Sequence, residues 1–142
     1  MVGWRATDVM PRKVLLIDDN PPFLRMLTRF LADQDGEGIR VVGAVIGGRD
    51  AVAQTERLQP DVILLDLEMP DIPGVDLLPR LRASVPDARL IALTLMDPAS
   101  FRATALAAGA DAFVSKASLE HDLLPAIQGV SPIEHRRGPV LC

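Results

Sequence analysis

The polar side chains that could do chemistry in this sequence stand at the ends of short apolar runs. Two acids, Asp18 and Asp19, follow the first run, and a third acid, Asp66, ends a later one. Thr94 ends another run, and Lys116 follows the last. Three carboxylates, a hydroxyl and an ammonium group would suit a site for a divalent cation and an anion, provided that the fold brings them together.

The three carboxylates would repel one another in a partly dry cleft, and a bound divalent cation would relieve that repulsion. The candidate site offers oxygen ligands without His or Cys, a set that favours a hard cation such as Mg2+. Mg2+ readily accepts a phosphate oxygen, while Thr94 and Lys116 supply a hydroxyl donor and a compact positive charge for an anion. This combination indicates phosphoryl transfer to a carboxylate.

The elements that must position these side chains alternate between two patterns. Short apolar or β-branched runs predict strands at 13–17, 39–46, 61–66, 89–94 and 111–115. The segments after them predict helices at 21–35, 49–58, 75–84, 98–108 and 118–128. Five βα units in succession predict a doubly wound α/β fold, a mostly parallel sheet with helices on both faces. Ligands of such sheets bind outside the carboxyl ends of the strands, where all five polar side chains stand.

Local signals define the first helix best. Asn20 is a suitable N-cap and Pro21 a suitable first helical residue. Apolar residues at helical spacing follow, and four of them are interpreted as core rather than as a cofactor site: Phe23, Leu27, Phe30 and Leu31. The second strand ends in Gly47 and Gly48, which offer no side chain for chemistry.

Composition limits the classes of protein that this chain can represent. Its 142 residues suit one compact domain, and a net charge of −4 gives no basic surface for nucleic acid or an anionic membrane. No stretch reaches the roughly 20 apolar residues that span a bilayer, and no signal peptide is visible. The single cysteine, Cys142, cannot form an internal disulfide. We therefore expect a cytoplasmic protein that binds neither nucleic acid nor membrane directly.

Taken together, the motifs at the strand ends resemble the receiver domain of two-component response regulators. They are Asp18-Asp19, Asp66-Leu-Glu-Met-Pro70 with Gly74, Ala92-Leu-Thr94 and Gly109-Ala-Asp-Ala-Phe-Val-Ser-Lys116. Each motif alone is weak, but all of them occur in order. The resemblance covers residues 13–128, and it is closest to the subfamily that usually carries a C-terminal helix-turn-helix domain.

The resemblance implies a role for each residue of the site. Asp66 would be the phosphoacceptor. Four residues would hold Mg2+: Asp19 and Asp66 as direct ligands, Glu68 through its backbone carbonyl, and Asp18 largely through metal-bound water. Thr94 and Lys116 would bind the phosphoryl group.

The resemblance also implies a switch and its partners. A histidine kinase or phosphotransfer protein would donate the phosphoryl group, and Thr94 and Phe113 would then shift as switch residues. The shift would repack the face of the fourth helix, fifth strand and fifth helix, which could serve for docking or homodimer formation. The domain would not be an enzyme, apart from slow loss of its own phosphoryl group.

The family fold is flavodoxin-like, with a five-stranded sheet of order 2-1-3-4-5. We expect the domain at 13–128, with 1–12 as an N-terminal tail and 129–142 as a C-terminal tail or linker. Whether an output domain follows Cys142 in the native protein stays open.

Four positions bear on how this chain would differ from other members of the family. Phe113 stands where many members have Tyr or His, so its switching would depend on packing alone. Ala117 stands where many have Pro, so no cis-proline is expected there. Glu68 and Met96 are expected near the mouth of the site, where they would influence the attack of water on the acyl phosphate.

Two other functions stay open as alternatives. A phosphohydrolase of the haloacid-dehalogenase type uses a similar set of side chains, but its nucleophile lies in a first-strand Asp-x-Asp motif, where this chain has Asp18-Asp19-Asn20. A degenerate receiver that acts only as a binding module would suit a chain lacking Asp66 or Lys116, and both are present. Taken singly, the site residues also have ordinary interpretations as helix caps, strand residues and surface charges, and Asp71, Asp76 and Asp87 are interpreted as loop or helix-surface acids.

Overall fold

The protein forms five βα units, described here from a computed structural model covering residues 11–34, 38–95 and 98–129. The strands are β1 (Arg12–Asp18), β2 (Ile39–Ile46), β3 (Val62–Asp66), β4 (Arg89–Thr94) and β5 (Ala112–Ser115). The helices are α1 (Pro21–Ala32), α2 (Ala51–Leu58), α3 (Gly74–Ser84), α4 (Pro98–Ala108) and α5 (Leu119–Gln128). The predictions for Met96 and for nearly all of the two terminal tails lie outside the described residues. Arg12, assigned to the N-terminal tail from the sequence, is the first residue of β1.

The five strands form one parallel sheet of order β2-β1-β3-β4-β5, which confirms the predicted fold and strand order. The register aligns the carboxyl ends of the strands. Asp18 pairs with Ile46, Asp66 pairs with Leu93, and the next strand pairing ends at Thr94 and Ser115. The polar residues that end β1, β3 and β4 therefore lie along one edge of the sheet.

Two hydrophobic clusters cover the two faces of the sheet. Alternate residues of β1 enter different clusters, because successive side chains of a strand point to opposite faces. Leu15 packs with residues of α2, α3 and α4, whereas Leu16 packs with residues of α1 and α5. Every residue of β3 is buried, as its continuous apolar sequence predicts for a central strand. The packing fixes both faces of the sheet and leaves only its ends for chemistry.

The helix boundaries follow from local hydrogen bonds. The side chain of Asn20 accepts a bond from the Phe23 amide at 3.0 Å, which confirms the predicted cap of α1. Helix α2 begins at Ala51, two residues later than predicted, and the amides of Gly48 and Arg49 donate to the Asp71 carboxylate instead.

A single 3-10 turn, Lys116–Ser118, separates β5 from α5, so this helix begins at Leu119 and not at Ser118. Helix α1 ends at Ala32, three residues before its predicted end. None of the helices in the described part of the chain has the length and apolar character needed for a membrane span.

Candidate metal and phosphoryl site

Three carboxylates meet at the carboxyl edge of the sheet. Asp18 ends β1, Asp19 follows it, and Asp66 ends the neighbouring strand β3. Each offers one carboxylate oxygen, and these oxygens lie within 4.8 Å of one another. Asp18 and Asp66 are each only 2% exposed, and Asp19 is half-buried. The structure therefore brings together the acidic set that the sequence predicted.

A single ammonium group lies between two of these acids. The Nζ atom of Lys116 is 2.8 Å from Oδ2 of Asp18 and 3.4 Å from Oδ1 of Asp66. The Lys116 side chain is 8% exposed, and its Nζ atom lies 4.3 Å from the centroid of the Phe23 ring. The two carboxylates and the Phe23 ring of α1 thus hold the ammonium group of Lys116 in one place, the ring through a cation–π contact.

Backbone groups fix the orientation of the two buried acids. Oδ1 of Asp18 accepts a hydrogen bond from the Asn20 amide at 2.9 Å, and Oδ1 of Asp66 accepts one from the Glu68 amide at 3.1 Å. Gly74, the first residue of α3, lies against the same loop. A Cβ atom at this position would stand 2.6 Å from Cα of Leu67 and 2.8 Å from the Asp66 carbonyl oxygen, so only glycine fits.

The charges of the site perturb its titration. Burial raises the pKa of Asp66 to about 6, and the negative charge of Asp18 also raises it, while the Glu68 amide and Lys116 oppose the rise. Burial acts to lower the pKa of Lys116, but its bonds to Asp18 and Asp66 outweigh burial and raise that pKa. Lys116 is therefore a permanent cation, whereas Asp66 holds a proton more readily than an ordinary aspartate.

Thr94 is completely buried at the end of β4, and its hydroxyl donates a hydrogen bond to the carboxylate of Glu68. The same carboxylate accepts a bond from the Leu95 amide at 3.2 Å. Glu68 was expected to use its backbone carbonyl for the metal and to stand near the mouth of the site. The structure adds that its side chain reaches across to β4 and engages the hydroxyl predicted to bind the phosphoryl group.

The donor set fits a hard divalent cation. One carboxylate oxygen from each of the three acids lies within 4.8 Å of the other two, and no histidine or cysteine belongs to this cluster. Oxygen ligands that include several carboxylates are the set that Mg2+ binds in proteins. One lysine cannot neutralise three neighbouring acids, so a bound cation would relieve the remaining repulsion.

Comparison with known proteins identifies the family of this chain. The family model described as the response regulator receiver domain matches residues 14–128. The chain belongs to this family. Receiver domains are signalling domains, and the match gives no support to a haloacid-dehalogenase-type phosphohydrolase.

Individual relatives of this receiver domain are response regulators. The response regulator GacA of Pseudomonas aeruginosa is 34% identical over 118 residues, which are 83% of this chain and 54% of GacA. The nitrate/nitrite response regulator protein homolog of Haemophilus influenzae is 36% identical over 119 residues, which are 84% of this chain and 56% of the relative. The chain thus spans about half the length of both relatives.

A solved structure shares the fold of this receiver domain. It is a response regulator protein from Burkholderia pseudomallei, whose crystal structure contains a phosphorylated aspartic acid, a calcium ion and citrate. The two chains are 27% identical with a TM-score of 0.73, and the match covers 82% of this chain and 66% of the other.

The predicted switch residue Phe113 lies in β5 of the receiver domain. Its side chain is half-buried and packs against the hydrophobic cluster shared by α2, α3 and α4. Ser115, two residues later, accepts a hydrogen bond from the Ala117 amide at 3.1 Å through its hydroxyl oxygen. This bond shapes the turn that directs Lys116 into the site.

Sequence reasoning missed three contributions to the site of this receiver domain. Phe23 was assigned to the core, but its ring also faces Lys116. The glycines after β2 were expected to offer nothing, yet the Gly47 amide donates to the Asp18 carbonyl oxygen at 3.0 Å. Asp71 was interpreted as an ordinary loop or helix-surface acid, and its carboxylate fastens the loop after β2 to the loop after β3. Only the position of Phe23, in the first turn after the acidic pair, gave a signal in the sequence.

Proposed function

We propose that this receiver domain accepts a phosphoryl group on Asp66, with Mg2+ bound by Asp18, Asp19, Asp66 and the backbone carbonyl of Glu68. The phosphohistidine of a histidine kinase or phosphotransfer protein is the donor. The observation that carries the proposal is the position of Lys116, whose ammonium group lies between two buried carboxylates that form an acidic cluster with Asp19. Lys116 would supply one positive charge to a phosphoryl group on Asp66, and a bound metal would supply another.

The likeness to the Burkholderia pseudomallei response regulator supports the same assignment. That protein carries a phosphorylated aspartic acid and a calcium ion. In the present chain, the acid that ends β3 belongs to the acidic cluster and lies beside Lys116. Asp66 therefore combines the nucleophilic oxygen, the metal ligand and the neighbouring cation that aspartyl phosphate formation requires.

In the proposed transfer, a carboxylate oxygen of Asp66 forms the new oxygen–phosphorus bond as the nitrogen–phosphorus bond of the donor breaks. The electron pair of the broken bond stays on the imidazole nitrogen. Lys116 stabilises negative charge on the transferred group, and Thr94 donates its hydroxyl to a phosphoryl oxygen. Asp18, Asp19, Asp66 and the Glu68 carbonyl would hold Mg2+, which would supply further positive charge to the phosphoryl oxygens.

The raised pKa of Asp66 sets a pH requirement for this reaction. Since that pKa is about 6, an increasing fraction of Asp66 is protonated below pH 6 in the metal-free protein. A protonated carboxyl is a poor nucleophile and a poor metal ligand. Lys116 keeps its charge across the same range, because its pKa is raised.

The decisive experiment measures a covalent or mimetic adduct on the native chain. With Mg2+ and a small-molecule acyl phosphate, intact-mass spectrometry should show one added phosphoryl group, and beryllofluoride should bind at one site. Asp66→Asn should abolish both signals, because the nucleophilic oxygen is lost. Asp76→Asn, an exposed acid in the first turn of α3, serves as the matched control and should keep both.

An adduct of equal size on Asp66→Asn, or no adduct on the native chain at pH 7.5 with Mg2+, would contradict the proposal. Omission of Mg2+ should reduce the native signal strongly. An adduct that persists after chelation would remove the metal from the proposal while leaving Asp66 in it.

The switch and the assembly belong to the same proposal. Phosphorylation draws Thr94 toward the phosphoryl group, Phe113 repacks, and the face formed by α4, β5 and α5 changes its affinity for a partner or a second copy. Leu106 of α4, which is 39% exposed, gives α4 an exposed apolar side chain. Sedimentation velocity with and without beryllofluoride would reveal a change in oligomeric state.

We further propose that residues 13–128 act as the receiver part of a regulator, with 1–12 and 129–142 as its flanking segments. The length of the relatives supports this division, since the chain spans about half of each. The receiver itself does not contact nucleic acid in this scheme, and its net charge of −4 agrees with that role. Slow hydrolysis of the acyl phosphate, with Glu68 near the attacking water, completes the proposed cycle.

A further inference from the structure

One contact at the site belongs neither to the metal cluster nor to Lys116. The carboxylate of Glu68 accepts a hydrogen bond from the Thr94 hydroxyl and another, 3.2 Å long, from the Leu95 amide. We call these two bonds the Glu68 clasp. Glu68 is an exposed residue of the loop after β3, whereas Thr94 is fully buried at the end of β4. The side chain of Glu68 therefore reaches from the loop to Thr94.

The two donors of the clasp form an anion-binding pair. A hydroxyl and a backbone amide from consecutive residues can bind two oxygens of one anionic group, and a carboxylate uses both. A phosphoryl group presents oxygens of the same charge and similar spacing. The donors that Glu68 occupies are therefore donors that an anion attached to Asp66 could use.

Chain geometry keeps Glu68 close to that anion. Its amide donates to Oδ1 of Asp66 at 3.1 Å, so the backbone of Glu68 is fixed beside the acceptor oxygen. Only the side chain can leave when a second anion arrives. A carboxylate that stayed in the clasp would both deny the donors to the newcomer and repel its charge.

We propose that Glu68 is a built-in competitor, whose carboxylate occupies the Thr94 and Leu95 donors in the unphosphorylated chain and must leave before a phosphoryl group can use them. The proposal rests on the proposed function of Asp66. It assigns Glu68 a second role besides its backbone carbonyl, that of setting how readily the receiver takes and keeps its anion.

The test compares Glu68→Ala and Glu68→Gln with the native chain. Beryllofluoride is titrated into each protein at saturating Mg2+, with binding followed by amide NMR. Glu68→Ala should bind about tenfold more tightly, the factor that corresponds to one charge-assisted hydrogen bond no longer displaced. Glu68→Gln should lie between the two, because its amide oxygen still accepts a bond but carries no charge.

Glu56→Gln is the matched control for the loss of an acid. Glu56 is an exposed residue of α2, and Gln in its place should leave the affinity for beryllofluoride unchanged. An affinity of Glu68→Ala equal to or weaker than that of the native chain would overturn the proposal. Equal gains in Glu68→Gln and Glu68→Ala would overturn it too, since general charge repulsion would then explain the result.

A second measurement separates the clasp from the proposed function. In the absence of any anion, the Leu95 amide should exchange with solvent faster in Glu68→Ala than in the native chain, because it loses its acceptor. The Gly48 amide, which donates to Asp71 at 2.9 Å, should be unaffected. If the native chain forms no adduct, the proposed function fails, yet the exchange of Leu95 still decides whether the clasp exists.

Discussion

Acidic residues have different surroundings at the two ends of the parallel strands, which we call the amino edge and the carboxyl edge of the sheet. At the amino edge, each carboxylate has its own donors. Asp61 accepts a hydrogen bond from the Lys13 amide at 2.8 Å. Asp111 accepts one from the Leu90 amide at 2.8 Å and forms an ion pair with Arg82 at 2.6 Å.

At the carboxyl edge, two buried carboxylates share one ammonium group, and a third acid belongs to the same cluster. Lys116 serves both Asp18 and Asp66, and Asp19 completes the cluster. The pKa of Asp66 is raised to about 6, with burial as the largest cause. The same residue type is structural at one edge and poised for chemistry at the other, because burial and the neighbouring charge of Asp18 raise the pKa of Asp66.

The largest expected effect is a loss of stability when the hydrogen bonds at the amino edge are removed. Arg82 donates four hydrogen bonds that join the end of α3 to the beginnings of β4 and β5, with acceptors Pro86 O, Ala88 O, Gly109 O and Asp111 Oδ2. Arg82→Met should destabilise the protein by about 3 kcal/mol, since partly buried acceptors lose their donor. Urea unfolding measures the loss.

Arg82→Met should not change metal binding at the carboxyl edge. Its affinity for Mg2+ should stay within about twofold of the native value, because Arg82 does not contact the acidic cluster. Arg80→Met, an exposed neighbour on the same helix, should change stability by less than about 0.5 kcal/mol. A large loss in Arg80→Met would show that the helix, and not the bonds of Arg82, is sensitive.

The second largest effect is a gain of stability, and it is expected when an acid is removed at the carboxyl edge. In the metal-free protein at pH 7, Asp66→Asn should be more stable than the native chain by about 2 kcal/mol. The folded pKa of Asp66, about 6, exceeds its ordinary value of 3.8, so the folded state binds more protons between these values. The stability of the native chain therefore falls as pH rises through this window. Asp66→Asn does not lose this stability, because Asn does not titrate.

Urea unfolding of the two chains at pH 7 and near pH 3.5, with a chelator present, measures the difference. The difference should be small at the lower pH, where Asp66 is protonated in the folded state and largely protonated in the unfolded state. Saturating Mg2+ should narrow or reverse the difference at pH 7, because the native site binds the cation more tightly. A gain for Asp66→Asn that is equal at both pH values would contradict the charge explanation.

The smallest expected effect concerns the ring beside Lys116. Phe23→Leu should weaken beryllofluoride binding about threefold, since a cation–π contact contributes roughly 0.5–1 kcal/mol when partly exposed. Phe23→Tyr should restore most of the affinity, because it keeps the aromatic face. Phe30→Leu, which alters another half-buried ring of α1 in the same hydrophobic cluster, is the matched control and should leave affinity unchanged. Equal losses in both leucine variants would reduce the role of Phe23 to packing.

Much of the fold was predictable because its signals are local. The bounds of β2, β4 and α4 agree with prediction, since β-branched runs and turn residues delimit them. The start of α2 was wrong by two residues, because the amides of Gly48 and Arg49 bond to Asp71, a residue over twenty positions away. A hydrogen bond between distant loops leaves no periodic pattern in the sequence.

The sequence by itself determined the parallel βα architecture, the acids that end β1 and β3, the Thr that ends β4 and the Lys that follows β5. These follow from the order of polar residues after apolar runs, which a parallel sheet must gather at one edge. Only the tertiary structure decided how the side chains share that edge. Lys116 lies over the ring of Phe23, and Glu68 reaches Thr94, because these contacts depend on side-chain directions across neighbouring elements. The physical reason is that strand register is set by a repeating pattern, whereas a contact between two particular side chains is set by the space that packing leaves.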